Sequence, residues 1–185
     1  AGVLGALAAD PNGSVGTDNT GVGYRTMPSA TTGYRNTAIG SRAAHNLTSG
    51  HANTVVGRGS AYSITTGYEN TAIGENALFN GTSAYQNLAI GKSALFSAGG
   101  AYSNIAMGNN ALFNTTSGYE NTAIGRSAMN SNTEGFRNLS MGMESLRSNI
   151  SGSYNMGLGY RADVTTGGLV YAQAIGNMAQ VATSN

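Results

Sequence analysis

The chain contains no cysteine and no tryptophan, and its two prolines, Pro11 and Pro28, precede the regular part of the sequence. Without cysteine there are no disulfide staples and no thiolate chemistry, which suits a stiff extracellular protein held together by repetition. Charge is also scarce: Asp, Glu, Lys and Arg make up 9% of the chain, against about 25% in ordinary globular domains. Nine basic and eight acidic residues nearly cancel, so there is no basic stripe to grip a nucleic-acid backbone. No apolar run approaches the roughly 20 residues that a membrane span needs, the opening 1–7 included. Neither nucleic acid nor membrane insertion is therefore expected. The chain opens on Ala1 rather than Met, as a processed or excised segment would.

Gly, Ala, Ser, Thr and Asn fill the space, and they do so periodically. Gly23, Gly40, Gly57, Gly74, Gly91, Gly108, Gly125, Gly142, Gly159 and Gly176 stand 17 residues apart without a miss. A repeat this short cannot bury its own apolar side chains, so each must be one coil of a stack. The register predicts an all-β fold, a parallel β-solenoid of 17-residue coils over residues 17–176, rising roughly 4.8 Å per coil.

Positions counted from the repeat glycine have their own grammar. Position −1 is aliphatic or Met throughout, as in Ile39, Ile73, Ile90, Met107 and Ile124, and −2 is small, as in Ala38, Ala72, Ala89 and Ala106. Strand side chains alternate between faces. On that rule −1 and −3 face the interior, while −2 and the glycine form a bare strip near a three-fold axis or subunit boundary. A second short strand is expected at +3 to +5. There Ala77, Ala94 and Ala111 precede Leu78, Leu95 and Leu112 in the core, which sends Phe79, Phe96 and Phe113 outward. Soluble monomers rarely expose such a stripe, and the expected cover is another copy of the chain.

Asn precedes the glycine by four residues in nine of the ten coils, from Asn19 to Asn155, and reads as a hydrogen-bonded ladder. Most charges lie at +1, +2 or −5, for example Arg58, Glu75, Lys92, Glu120 and Arg137, and read as solvated corners of mixed sign. His45 and His51 occupy slots that aromatics fill in other coils, with no carboxylate or thiolate cluster to make a metal site. No Gly-x-Ser-x-Gly elbow occurs. The chain is therefore expected to be no enzyme, with no catalytic residue, metal or cofactor. The aromatics Tyr34, Tyr68, Tyr85, Tyr102 and Tyr119 at −6, with Phe79, Phe96 and Phe113 at +5, are the candidate surface-binding or interface residues. Ring-on-ring packing along the rod or between chains is the favoured role, and contact with a sugar or receptor the functional one.

The motif Asn-Thr-Ala-Ile-Gly-x-x-Ala-Leu, at Asn70 to Leu78 and nearly so at Asn121 to Met129, resembles two related groups. One is the YadA-like head of trimeric autotransporter adhesins; the other is the tail-fibre-like proteins of phages and bacterial surfaces. The resemblance covers about residues 17–180, and the 17-residue spacing is more similar to the tail-fibre group. It implies a left-handed β-roll that trimerises. It also implies a non-enzymatic shaft or head of an extracellular, cell-surface or virion fibre that meets a cell-surface glycan or protein receptor. A left-handed hexapeptide acyltransferase does not fit the spacing of Ile73, Leu78 and Leu88, and an ice-binding array is broken by Leu88, Ile105 and Gly99. A filament of identical subunits joined end to end is the serious alternative.

Three segments are expected: a lead-in or cap at 1–16, a regular solenoid at 17–160, and a degenerate last coil and junction at 161–185. The +4 core slot becomes Asp163 and then Gln180. An unpaired carboxylate there would be costly, so the slot should turn outward.

Overall fold

The computed structural model describes residues 4–5 and 16–184. Most of the expected lead-in at 1–16 lies outside the described residues. The described chain contains no helix, and about ten coils of parallel β-solenoid are stacked in sequence order. One three-residue strand per coil builds the main sheet: β2 (Thr20–Val22), β3 (Thr37–Ile39), β4 (Thr54–Val56), β5 (Thr71–Ile73), β6 (Leu88–Ile90), β7 (Ile105–Met107), β8 (Thr122–Ile124), β9 (Leu139–Met141), β10 (Met156–Leu158) and β12 (Gln173–Ile175). Each pairs with the strand one repeat on, for example Thr71 with Leu88, Ala72 with Ala89 and Ile73 with Ile90. A short strand β1 (Leu4–Gly5) closes the sheet at one end by pairing antiparallel to β2.

The repeat glycine is required by both conformation and space. Its φ lies at 122–137° in every coil, a region that L side chains rarely adopt. A Cβ built on Gly91 would also sit 2.7 Å from the carbonyl of Gly108 in the next coil.

The strand faces are the reverse of what simple alternation suggests. Position −2 points into the coil, so Ala38, Ala72, Ala89, Ala106 and Ala123 are fully buried. Positions −1 and −3 point outward, and Ile39, Ile73, Met107 and Met141 are 37–44% exposed. The physical reason is width. The interior leaves room at the strand only for a small side chain, a methyl in most coils and at most the isopropyl of Val55, so the small −2 residue takes it.

The expected second strand is a turn in the coils up to Leu146 and is formed only in the last two, at 163–164 and 180–181. Residues at +2 and +4 are left-handed, as at Asn76 (φ 56°) and Leu78 (φ 54°), and so are those at −5, such as Glu69 (φ 55°). Such a conformation costs a non-glycine residue roughly 1–2 kcal/mol. Each one turns its N–H along the rod axis onto a neighbouring coil: Glu69 to the carbonyl of His51 (3.0 Å), Asn76 to Arg58 (3.0 Å) and Leu78 to Ala94 (2.9 Å). The turn also lets consecutive side chains point inward, so Ala77 and Leu78 are both buried and Phe79 is half-buried.

A further core column sits at +7 and complements +4 in size. Where +4 is Ala44 or Ala61, +7 is Leu47 or Ile64; where +4 is Leu78, Leu95 or Leu112, +7 is Gly81, Ala98 or Thr115. One large side chain per coil fills the interior, from either side. That keeps the core at the close packing of protein interiors.

The Asn ladder is present as expected. Asn36 through Asn155 at −4 are buried, and each Nδ2–H donates to the Oδ1 of an adjacent ladder Asn, to a corner carbonyl of the following coil, or to both. Near the end of the rod the coil geometry changes. Asp163 and Val164 form β11, paired in parallel with β13 (Gln180–Val181), and Val164 at +5 takes the core position. The Asp163 carboxylate, 9% exposed, turns back to accept the Ser148 N–H at 3.1 and 3.2 Å and its neighbour's N–H at 2.9 Å. The slot therefore does not turn outward as expected: Asp163 stays buried, and these N–H partners offset the cost of burying its carboxylate.

Candidate functional site

Two stacks of rings run along the rod. At −6, Tyr34, His51, Tyr68, Tyr85, Tyr102, Tyr119 and Phe136 stack at centroid separations of 4.8–5.0 Å, within 10° of parallel. At +5, His45, Tyr62, Phe79, Phe96 and Phe113 stack at 4.8–5.1 Å. The coil rise dictates this spacing, since a ring repeated every coil has its neighbour at stacking distance. Ring faces are consequently occupied by other rings, and only their edges face outward. Both histidines are members of these stacks. Burial, the nearby Tyr119 and Tyr85 and, to a smaller extent, Glu120 raise the Tyr102 phenol above its ordinary range. After Phe136 the stack breaks: Tyr154 meets that ring edge-on at 5.4 Å and 75°, one position later in the coil, and stacks on Tyr171.

Charges form axial ladders rather than a cluster. Arg58 and Lys92 clasp Glu75 from the coils on either side, Lys92 at 3.3 Å. Arg137 binds Glu120 at 2.6 Å, and Arg161 binds Glu144 at 2.8 Å with Arg147 and Arg126 nearby. The Arg58 hydrogen bond, followed by Lys92, holds the Glu75 carboxyl below its usual range, and the Arg161 hydrogen bond does so for Glu144. Among the described residues, no three His, Cys, Asp or Glu side chains converge in a way that could hold a metal ion.

The surface feature that sequence reasoning missed is the outward face of the sheet. Val22, Ile39, Ile73, Met107, Met141 and Ile175 at −1, with Ile105 at −3, give an exposed apolar strip running the length of the rod. The uniform aliphatic −1 column was the available signal, but alternation had assigned it to the core. Two hollows interrupt the corners. One of about 370 Å³ lies where the geometry changes, between Glu144, Arg147, Ser148, Arg161 and Asp163. The other, about 380 Å³, lies over the +5 ring stack and is lined by Arg42, Arg58, Gly59, Tyr62, Asn76 and Phe79. No family model, curated protein or solved structure matches the chain.

Proposed function

We propose that this chain is a non-enzymatic structural and adhesive segment of an extracellular trimeric fibre, a shaft or head of the surface-adhesin or tail-fibre type. The observation that carries the reading is the apolar strip at −1 and −3. Exposed apolar surface that is continuous over many coils marks an association face. A parallel sheet displaying it along the whole rod suits lateral packing of identical rods. The number three comes from the resemblance of the Asn-Thr-Ala-Ile-Gly repeats. Light scattering on the intact chain tests it: three chain masses support the fibre reading, and a stable monomer at micromolar concentration overturns it.

A filament joined end to end is the second reading. It is favoured by the last coil, where Tyr171, Ile175 and Met178, in and beside β12, are 53–61% exposed. Against it, β1 already occupies the free edge of β2 at the opposite end. Negative-stain images separate the two: discrete short rods fit the trimer, and long rods of constant axial repeat fit the filament.

A further inference from the structure

From the hollow over Tyr62 and Phe79 we infer that the rod carries a binding site for an acidic saccharide. The inference rests on the adhesive part of the proposed function and gives it a location and a ligand chemistry. The site exists because of one residue. Position +2 carries Arg25, Arg42, Asn76, Ser93, Asn110, Ser127, Glu144 and Arg161 in other coils, but Gly59 in this one. The missing side chain leaves a slot one coil thick between Arg42 and Asn76, roughly 9–10 Å from coil to coil across the gap. A Cβ built on Gly59 would point into it, 2.6 Å from the Asn76 amide oxygen and 3.6 Å from the Phe79 ring.

The lining specifies the ligand. Arg42 has no carboxylate partner among the described residues, whereas Arg58 is shared with Glu75. The floor is the edges of Tyr62 and Phe79, because their faces are stacked on each other at 5.1 Å. Ring edges carry the positive part of the aromatic quadrupole and favour an anion, while a neutral sugar would need a ring face. An arginine fork binds a carboxylate in bidentate fashion. Asn76 supplies an amide for hydroxyl groups. A volume of about 380 Å³ is larger than an inorganic anion needs and lies within the usual range of small-molecule sites. None of the lining residues belongs to the −1 or −3 rows, so the slot lies outside the proposed chain–chain face.

The test is calorimetric titration of the intact chain with 3′-sialyllactose, lactose and sodium sulfate. 3′-Sialyllactose should bind, with lactose at least tenfold weaker and sulfate unable to displace it. Arg42→Gln and Gly59→Asn should each weaken binding at least tenfold, while Arg25→Gln should leave it unchanged. Asn adopts the same left-handed backbone at Asn76 (φ 56°) and Asn110 (φ 57°), so the coil accepts Gly59→Asn once the Asn76 side chain, 2.6 Å from the new Cβ, rotates away. Should it nevertheless unfold, Arg42→Gln carries the test alone. Equal binding of lactose, equal binding of sulfate, no binding of any probe, or indifference to Arg42→Gln each overturns the proposal. A trimer that binds none of the three probes removes this site and leaves the fibre reading standing; a binding monomer does the opposite.

Discussion

The Oδ1 of Asn70 accepts two hydrogen bonds from Asn87 one coil away, from its backbone N–H and from its side-chain amide, both at 3.1 Å. The same Asn87 amide donates onward to the carbonyl of Ala101 at 2.9 Å. Replacing Asn87 with Ala would leave the buried backbone N–H of Asn104 without its acceptor, and the Ala101 carbonyl with only the long Tyr85 N–H at 3.4 Å. An unpaired buried N–H costs about 1–3 kcal/mol, so the variant should lose at least about 1 kcal/mol in denaturant titration. Asn87→Asp should be worse at neutral pH, because a carboxylate can only accept while facing three acceptors, Asn70 Oδ1 and the carbonyls of Tyr85 and Ala101. Relative to the parent it should recover as acid restores a donor.

The size exchange between +4 and +7 predicts a compensating pair. Ala61→Leu alone overpacks its coil, at about 1–3 kcal/mol. Ile64→Ala alone opens a cavity, at about 2–5 kcal/mol. Together they recreate the Leu95 and Ala98 arrangement two coils on, so the double variant should be markedly more stable than the sum of the two. Additive losses in thermal unfolding would show that the columns do not share one space.

Strand substitutions should separate folding from assembly. Ile73→Glu combined with Met107→Glu places charge on the exposed strip, and should reduce the measured mass to one chain with the circular dichroism spectrum retained. Ala89→Phe, inside the coil, should unfold it. The opposite outcome would mean that the outer strip is not the chain–chain face.

Acid should loosen the axial ion pairs. Glu75 and Glu144 titrate below the ordinary carboxylate value because of Arg58 and Arg161, so the folded state favours their ionised form. Their contribution is complete above the unfolded carboxylate pKa of about 4.3 and is lost as pH falls through the lower folded value. The melting temperature should therefore drop more steeply on acidification in the parent than in Glu75→Gln/Glu144→Gln. The difference should be modest and should shrink in salt, since these pairs are solvent-exposed.

Much of the architecture is legible in the residues alone. A glycine every 17 residues states the coil length, because no other residue adopts φ near 130° with a neighbouring backbone 2.7 Å from where a Cβ would be. The Asn column states the ladder, because only a side chain that both donates and accepts can be stacked and buried indefinitely. Asp163 in a Leu column states that the coil must change there, and Val164 taking the core is how it does. These features are local to one column, and a column repeats whatever the shape of the coil.

The facing of the strand is decided only by the closed coil. In Thr71–Ile73 both Ala and Ile are apolar, and alternation says only that they point opposite ways. The width of the interior, set by turns whose left-handed residues have no signature beyond recurrence, admits the Ala methyl, and Val55 at most, and leaves the longer Ile outside. That choice moves a row of aliphatic side chains from the core to the surface, where the rod can meet another copy of itself. The hollow at Gly59 is likewise a tertiary property: a single glycine becomes a slot only because the coils on either side carry Arg42 and Asn76 in the same place.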